Sequence, residues 1–124
     1  MTQTYDDTNI FARILRGEIP CNTIAENKSA IAFHDVSPRM PVHALVIPRG
    51  PYCNIGHFYA TATPTEILDF SKLVSDVIAQ LGLTETGYRV VGNTGDHGGQ
   101  EVPHFHLHIL GGGKLPAMVG TKAA

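Results

Sequence analysis

Cysteine is scarce in this chain and its charges nearly cancel. Among 124 residues there are two cysteines, Cys21 and Cys53, far apart and in no C-x-x-C pattern. That excludes a disulfide framework or a zinc knuckle as the basis of the fold. The formal net charge is −2, so no basic field draws the protein to DNA, RNA or an anionic membrane, and any phosphate it binds must be held locally. No apolar run approaches the ~18 residues of a membrane span. The polar stretch Met1–Asp7 has no apolar segment behind it of the kind that marks a secretory signal, so the expected compartment is cytoplasmic. What is present, 43% hydrophobic and 16% charged residues, reads as one folded domain over 1–124, with 1–7 and 114–124 as flexible or partner-contacting tails. A chain of this length buries a core without covalent staples.

Periodicity and punctuation predict the elements. Residues 8–16 form a short helix capped by Thr8 or Asn9, with Ile10, Phe11, Ile14 and Leu15 on one face and Gly17 and Pro20 ending it. Thr23–Glu26 and Ser29–His34 are strands joined by the Asn27–Lys28 turn. Asp35–Val42, with two prolines, is a loop, and His43–Pro48 is a short buried strand. Arg49–Ala62 reads as irregular. A long helix then starts at Thr63, with Pro64 in its first position and Glu66 completing a capping box. Ile67, Phe70, Leu73, Val74, Val77, Ile78 and Leu81 recur at helical spacing up to Gly82. Gly87–Asn93 and His104–Leu110 are the last strands, separated by a glycine-rich loop over Thr94–Gln100, and residues 111–124 carry little pattern. Helices and strands with hairpin-length connections give an α+β fold built on an antiparallel sheet.

The segment His104-Phe-His106-Leu-His108-Ile-Leu carries the chemistry. In a strand, alternate side chains share a face, so the three histidines point one way while Phe105, Leu107 and Ile109 point into the core. Such a row can bind a metal, can be a nucleophile with its supports, or can be a polar face without a role. The preceding loop, with Gly95, Gly98 and Gly99, favours the second: successive N–H groups there would form an anion nest. A phosphate beside a neutral imidazole, whose ordinary pKa is ~6.5, points to displacement at phosphorus. A second cluster runs from Phe33 to His43. In it Asp35 ends a strand, either to hold a ribose diol or to cap a turn before Ser37-Pro38. Phe33 and Val36 with Ile10, Phe11 and Ile14 form either a slot for a base or plain core. His34, His57 and His97 read as surface or loop histidines, and both cysteines as apolar filler.

These blocks resemble the histidine triad (HIT) family. The resemblance spans about Ile10 to Leu110. It includes His-φ-His-φ-His-φ-φ at 104–110, the F-x-D-φ-x-P-x-x-P-x-H-x-L-φ-I-P stretch at 33–48, Asn93, and the Gly98-Gly99-Gln100 approach. Gly111-Gly112 after the triad is similar to the Hint branch, whose members cleave purine nucleoside phosphoramidates. The dinucleoside-polyphosphate branch has Pro-Arg there. The resemblance implies a HIT-like fold: a five-stranded antiparallel sheet with a short N-terminal and one long helix, paired into a ten-stranded sheet in a homodimer. It implies His106 as a nucleophile that forms a nucleotidyl-histidine, oriented by His104, with His108 and His43 completing the shell around the α-phosphate. Asn93, Gly99 and Gln100 would line the phosphate site, Asp35 would hold the ribose, and Ile10, Phe11, Ile14, Phe33 and Val36 the purine of an AMP- or GMP-like nucleotide. No cofactor and no metal is implied, and no nucleic acid or membrane partner. Glu101 stands where animal-type members have a serine that assists the leaving group, a replacement similar to bacterial members; the tail lacks their tryptophan. The alternatives are a dinucleoside-polyphosphate hydrolase and a nucleotide-binding regulator with incidental catalysis. The wide apolar arc of the long helix and the exposed edge of strand 87–93 are the features that predict a dimer.

Overall fold

The computed structural model describes residues 4–120. Eight elements follow in order: α1 (Ile10–Leu15), β1 (Thr23–Glu26), β2 (Ala30–His34), β3 (Val42–Pro48), α2 (Ile55–Thr61), α3 (Pro64–Gln80), β4 (Arg89–Val91) and β5 (Leu107–Gly111). The strands form one antiparallel sheet in the order β1-β2-β3-β5-β4. The α+β architecture with a short first helix and one long helix is therefore as expected.

Strand alternation divides the core between the two faces of the sheet. On one face Ala30, Ala32, Ala44, Val46, Phe105 and Ile109 meet Phe58 of α2 and Phe70, Leu73 and Val77 of α3. The three alanines are fully buried, and their small side chains let the helices approach the backbone. Phe58, Phe70 and Phe105 meet with ring centroids 5.1–5.2 Å apart, within the range of favourable aromatic packing. On the other face Ile31, Phe33, Leu45 and Ile47 pack under Phe11 of α1. That six-residue helix covers only part of the sheet.

The caps are local and legible. Thr63 Oγ1 accepts from Glu66 N while Glu66 accepts from Thr63 N, the reciprocal capping box, and Asn9 accepts from Ala12 N at the start of α1. Three expectations are corrected. The stretch 49–62 contains α2, whose seven residues carry a single buried anchor, Phe58. Strand 87–93 shortens to Arg89–Val91. The triad strand begins at Leu107, not His104. The antiparallel register that sets Val46 against Leu107 would bring Phe105 opposite Pro48, which has no N–H to give. Phe105 N donates instead to Tyr52 O at 2.7 Å, leaving 104–106 outside the ladder. The alternation of side chains persists all the same.

Candidate functional site

A cleft of about 520 Å³ opens on the α1 face of the sheet. Its floor follows from the register. His108 is opposite Leu45 and Val91, and Leu110 is opposite His43, so all of these share one face, and His106 continues the row. Asp35, at the end of β2, folds its backbone onto β3 through Asp35 N to His43 O at 2.9 Å. The loop that follows returns Arg39 N to His43 Nδ1 at 3.1 Å.

Hydrogen bonding settles the protons of the four histidines, because each chain of contacts starts from a group that can act in only one way. A backbone N–H can only donate, so His43 Nδ1 is bare and its proton sits on Nε2. That nitrogen lies 2.9 Å from His108 Nδ1 and 3.4 Å from Asp35 Oδ2. His108 Nδ1 therefore accepts, which places its proton on Nε2. The carbonyl of His104, 2.7 Å from His106 Nδ1, can only accept, so His106 carries its proton on Nδ1 and a lone pair on Nε2. No buried side-chain nitrogen or oxygen among the described residues lacks a partner. His106 Nε2 thus opens into the cleft that His106 lines. His104 is fully buried; its Nε2–H donates to Pro48 O at 2.8 Å and its Nδ1 accepts from Tyr5 Oη at 2.6 Å.

Burial keeps all four rings neutral. Desolvation is the main cause in each case and lowers the pKa of His43 and His106 below 6.5, and those of His104 and His108 to about 4. The carboxylates of Asp35 and Glu101 pull His106 back upward without outweighing burial. At neutral pH His106 is an uncharged imidazole with an available lone pair.

The structure brings most of the expected residues to one place. Ile10, Phe11, Ile14, Phe33 and Val36 line the cleft with Asp35, His43, Asn93, Gly99, Glu101, His106 and His108. Phe11 presents its edge to His106 at 5.0 Å, whereas Val36 stands at the lip, 90% exposed. Asp35 Oδ1 caps the turn at Ser37 N, 2.8 Å away, as the turn-capping reading expects, and the residue also lines the cleft. Two expected residues lie off the wall. His104 sits beneath it. Gln100 turns inward, its amide donating to Cys53 O and Val102 O at 2.7 and 3.0 Å and its carbonyl accepting from Gly95 N at 3.0 Å.

The expected anion nest is also corrected. Gly95 N is bonded to Gln100, Gly99 N to Asp96 O and Gln100 N to Gly95 O, so these N–H groups are spent within the loop. The glycines serve the loop's shape. Gly95 and Gly99 have φ of +65° and +71°, and a Cβ on Gly98 would run into the Thr94 backbone. Sequence reasoning missed Ile19, Pro20 and Cys21, which extend the apolar wall, and His34 and Arg39 at its rim. Arg39 was legible only as a charge between two prolines.

Asp35, His43 and His108 bring ligand atoms within 4.8 Å of one another, a spacing that could gather a divalent cation. The donor set argues otherwise. His43 Nε2, the atom a cation would need, carries the proton that Arg39 N forces upon it, and that proton is shared with His108. The three groups fit a proton relay better than a metal cage.

A family model described as HIT domain matches residues 16–115. An uncharacterised HIT-like protein of Azospirillum brasilense is 47% identical over 96% of this chain and 98% of its own length. The purine nucleoside phosphoramidase of Escherichia coli K12 is 38% identical over 94% of this chain and 97% of its own. Among solved structures, a histidine triad protein from Clostridium difficile superposes with a TM-score of 0.80 at 34% identity, covering 96% of this chain and 100% of that one.

Proposed function

The chain belongs to the HIT domain family, and on that footing we propose that it is a nucleotide hydrolase cleaving purine nucleoside 5′-phosphoramidates, with His106 Nε2 attacking the α-phosphorus. One observation carries the reading: His106 is held by its Nδ1–H on a backbone carbonyl, neutral, with Nε2 open to a cleft that has an apolar wall at one end and a carboxylate in the middle. A nucleophile needs that protonation state and that direction.

In the first step a bond forms between Nε2 and phosphorus, and the P–N bond to the leaving amine breaks, the amine keeping the electron pair and taking a proton. In the second, water attacks phosphorus, the bond to Nε2 breaks, and a nucleoside monophosphate leaves. The Nε2–H of His108, fixed by the His43 relay, supplies a hydrogen bond to a phosphate oxygen. Asn93 and the Arg39 guanidinium add to this and replace the nest that the glycine loop does not form. The apolar wall of Phe11, Ile14 and Phe33 takes the purine, and Asp35 the ribose hydroxyls. Glu101, exposed on the cleft, is placed to protonate or receive the departing amine; a carboxylate beside a phosphate is otherwise unfavourable.

The same reading includes a homodimer, supported by edge strand β4. Val90 within it and Tyr88 just before it are 41% and 44% exposed, and an open edge favours pairing. The wide arc of α3 does not add support, because Phe70, Leu73 and Val77 are consumed within the protomer's own core.

The test is a fluorogenic adenosine phosphoramidate assayed with wild type and His106→Gly, beside a dinucleoside polyphosphate. Turnover of the phosphoramidate that persists in chelator and vanishes in the variant supports the proposal. Preference for the polyphosphate, or activity that a chelator abolishes and zinc restores, overturns it.

A further inference from the structure

The family match begins at residue 16, yet a side chain well before it reaches the triad. We infer that Tyr5 is a positioning residue: its hydroxyl, acting through His104, holds the His106 imidazole in the orientation that opens Nε2 to the cleft. The inference rests on the reading of His106 as nucleophile.

His104 is bound on every polar edge. Pro48 O takes its Nε2 proton, Tyr5 Oη–H fills Nδ1, and its own carbonyl receives His106 Nδ1–H. The ring is wedged between the end of β3 and the N-terminal segment, with the Tyr5 ring set edge-on 5.5 Å away. Tyr5 is in turn anchored by a tight turn. Asp6 accepts from Thr8 N at 2.9 Å and from Asn9 Nδ2 at 2.7 Å, and Asn9 caps α1. That helix delivers Phe11 against His106 and, 6.2 Å away, His104. The segment from Tyr5 to Phe11 therefore acts as one brace behind the nucleophile.

The hydroxyl matters apart from the ring. Without it, a buried Nδ1 has no donor. His104 then either keeps its Nε2–H on Pro48 with the Nδ1 lone pair buried and unsatisfied, or takes up a second proton. The first loosens the side chain of the residue whose backbone carbonyl steers His106; the second sets a positive charge beside the nucleophile. Donation to Nδ1 stabilises neutral His104, so removing it raises the ring's proton affinity from a pKa that burial holds at about 4. Tyr5 is not on the cleft wall, so substrate binding is left unchanged.

The experiment compares full-length wild type and Tyr5→Phe in two ways. Histidine ¹H–¹⁵N correlation spectra read the tautomers without substrate, and steady-state kinetics read turnover. The wild type shows His104 with its proton on Nε2 and His106 with its proton on Nδ1. In Tyr5→Phe the His104 Nδ1 resonance moves toward that of an unbonded lone pair, and the doubly protonated ring appears at higher pH than in wild type. Turnover falls roughly tenfold at unchanged KM, the worth of one buried hydrogen bond of ~1.4 kcal/mol, and the acidic limb of kcat moves to higher pH. In a His104→Gln background the same substitution has no further effect on kcat. An unchanged His104 Nδ1 resonance, or a lowered melting temperature with unchanged kcat and pH profile, overturns the inference. If wild type turns over no phosphoramidate, the proposed function fails, and the spectra still decide the role of Tyr5. If Tyr5→Phe does not fold, 3-fluorotyrosine at position 5 keeps the shape and strengthens the donor. Its acidic limb should move to lower pH, and a limb that stays in place overturns the inference.

Discussion

The two faces of the sheet meet the same backbone with opposite solutions. Toward α2 and α3 the buried core is hydrocarbon, and Phe105 and Ile109 are 2% and 0% exposed. Toward α1, the same two strands present His43, His106 and His108, and the short helix leaves room for a cleft. The residues alternate one by one along 104–109, so stability and chemistry are interleaved in sequence and separated in space. The lesson is that a polar row can be kept on a sheet face when the ring nitrogens that turn away from the cleft all have partners. Burial then holds the rings neutral, with a bare Nε2 on His106 and an Nε2–H on His108 left for the cleft.

The sharpest way to break this comparison is to exchange what is lost on each face. His106→Gly should fold like wild type and lose turnover by about 10⁴-fold or more, as removal of a nucleophile does. Phe105→Ala, its sequence neighbour, should lower stability by ~3–5 kcal/mol through the cavity left between Phe58 and Phe70, while the molecules that remain folded keep their kcat. Thermal melts and assays of the two variants check both. A His106 variant less stable than the Phe105 variant would contradict the division.

Glu101 sharpens the comparison at the cleft mouth. Against a series of phosphoramidates whose amines differ in pKa, Glu101→Gln should lose most for the most basic leaving groups, up to ~10²-fold. An identical dependence in both enzymes would make Glu101 structural and assign proton delivery to His108, His43 or water.

The remaining expected effect is on acid stability, and the histidine face contributes to it. His104 and His108 titrate at about 4 in the folded protein and at 6.5 when exposed. Between those values the unfolded chain binds more protons, so stability rises with pH across that window and is lost as pH falls from about 6.5 toward 4. Denaturant midpoints measured from pH 7 to pH 4 should decline accordingly. A flat profile would mean that the rings are not buried neutral.

Much of this architecture is legible from residues alone, and the exceptions have physical reasons. The Thr63-Pro64-Glu66 start of α3 is spelled by its cap, and the alternation at 104–109 by the strand period. Helix α2 hides because seven residues with one buried phenylalanine make no period. The start of β5 shifts because a proline in its neighbour withholds an N–H, a fact about the partner strand. The glycine loop reads as a phosphate cradle until its own N–H groups are seen to close on Gln100, Asp96 and Gly95. Gln100 reads as a ligand contact for the same reason. Tyr5 is invisible beforehand because nothing in its neighbours signals a partner ninety-nine residues away.

The central claim is that His106 Nε2 forms a bond to phosphorus. The most direct measurement is rapid acid-free quenching of wild type with excess adenosine phosphoramidate, followed by peptide mass spectrometry. The account predicts a nucleoside monophosphoryl adduct on the peptide carrying His106, appearing within the first turnover and absent from His106→Gly. Wild type that turns over substrate with no adduct at any time, while His106→Gly retains activity, would contradict it.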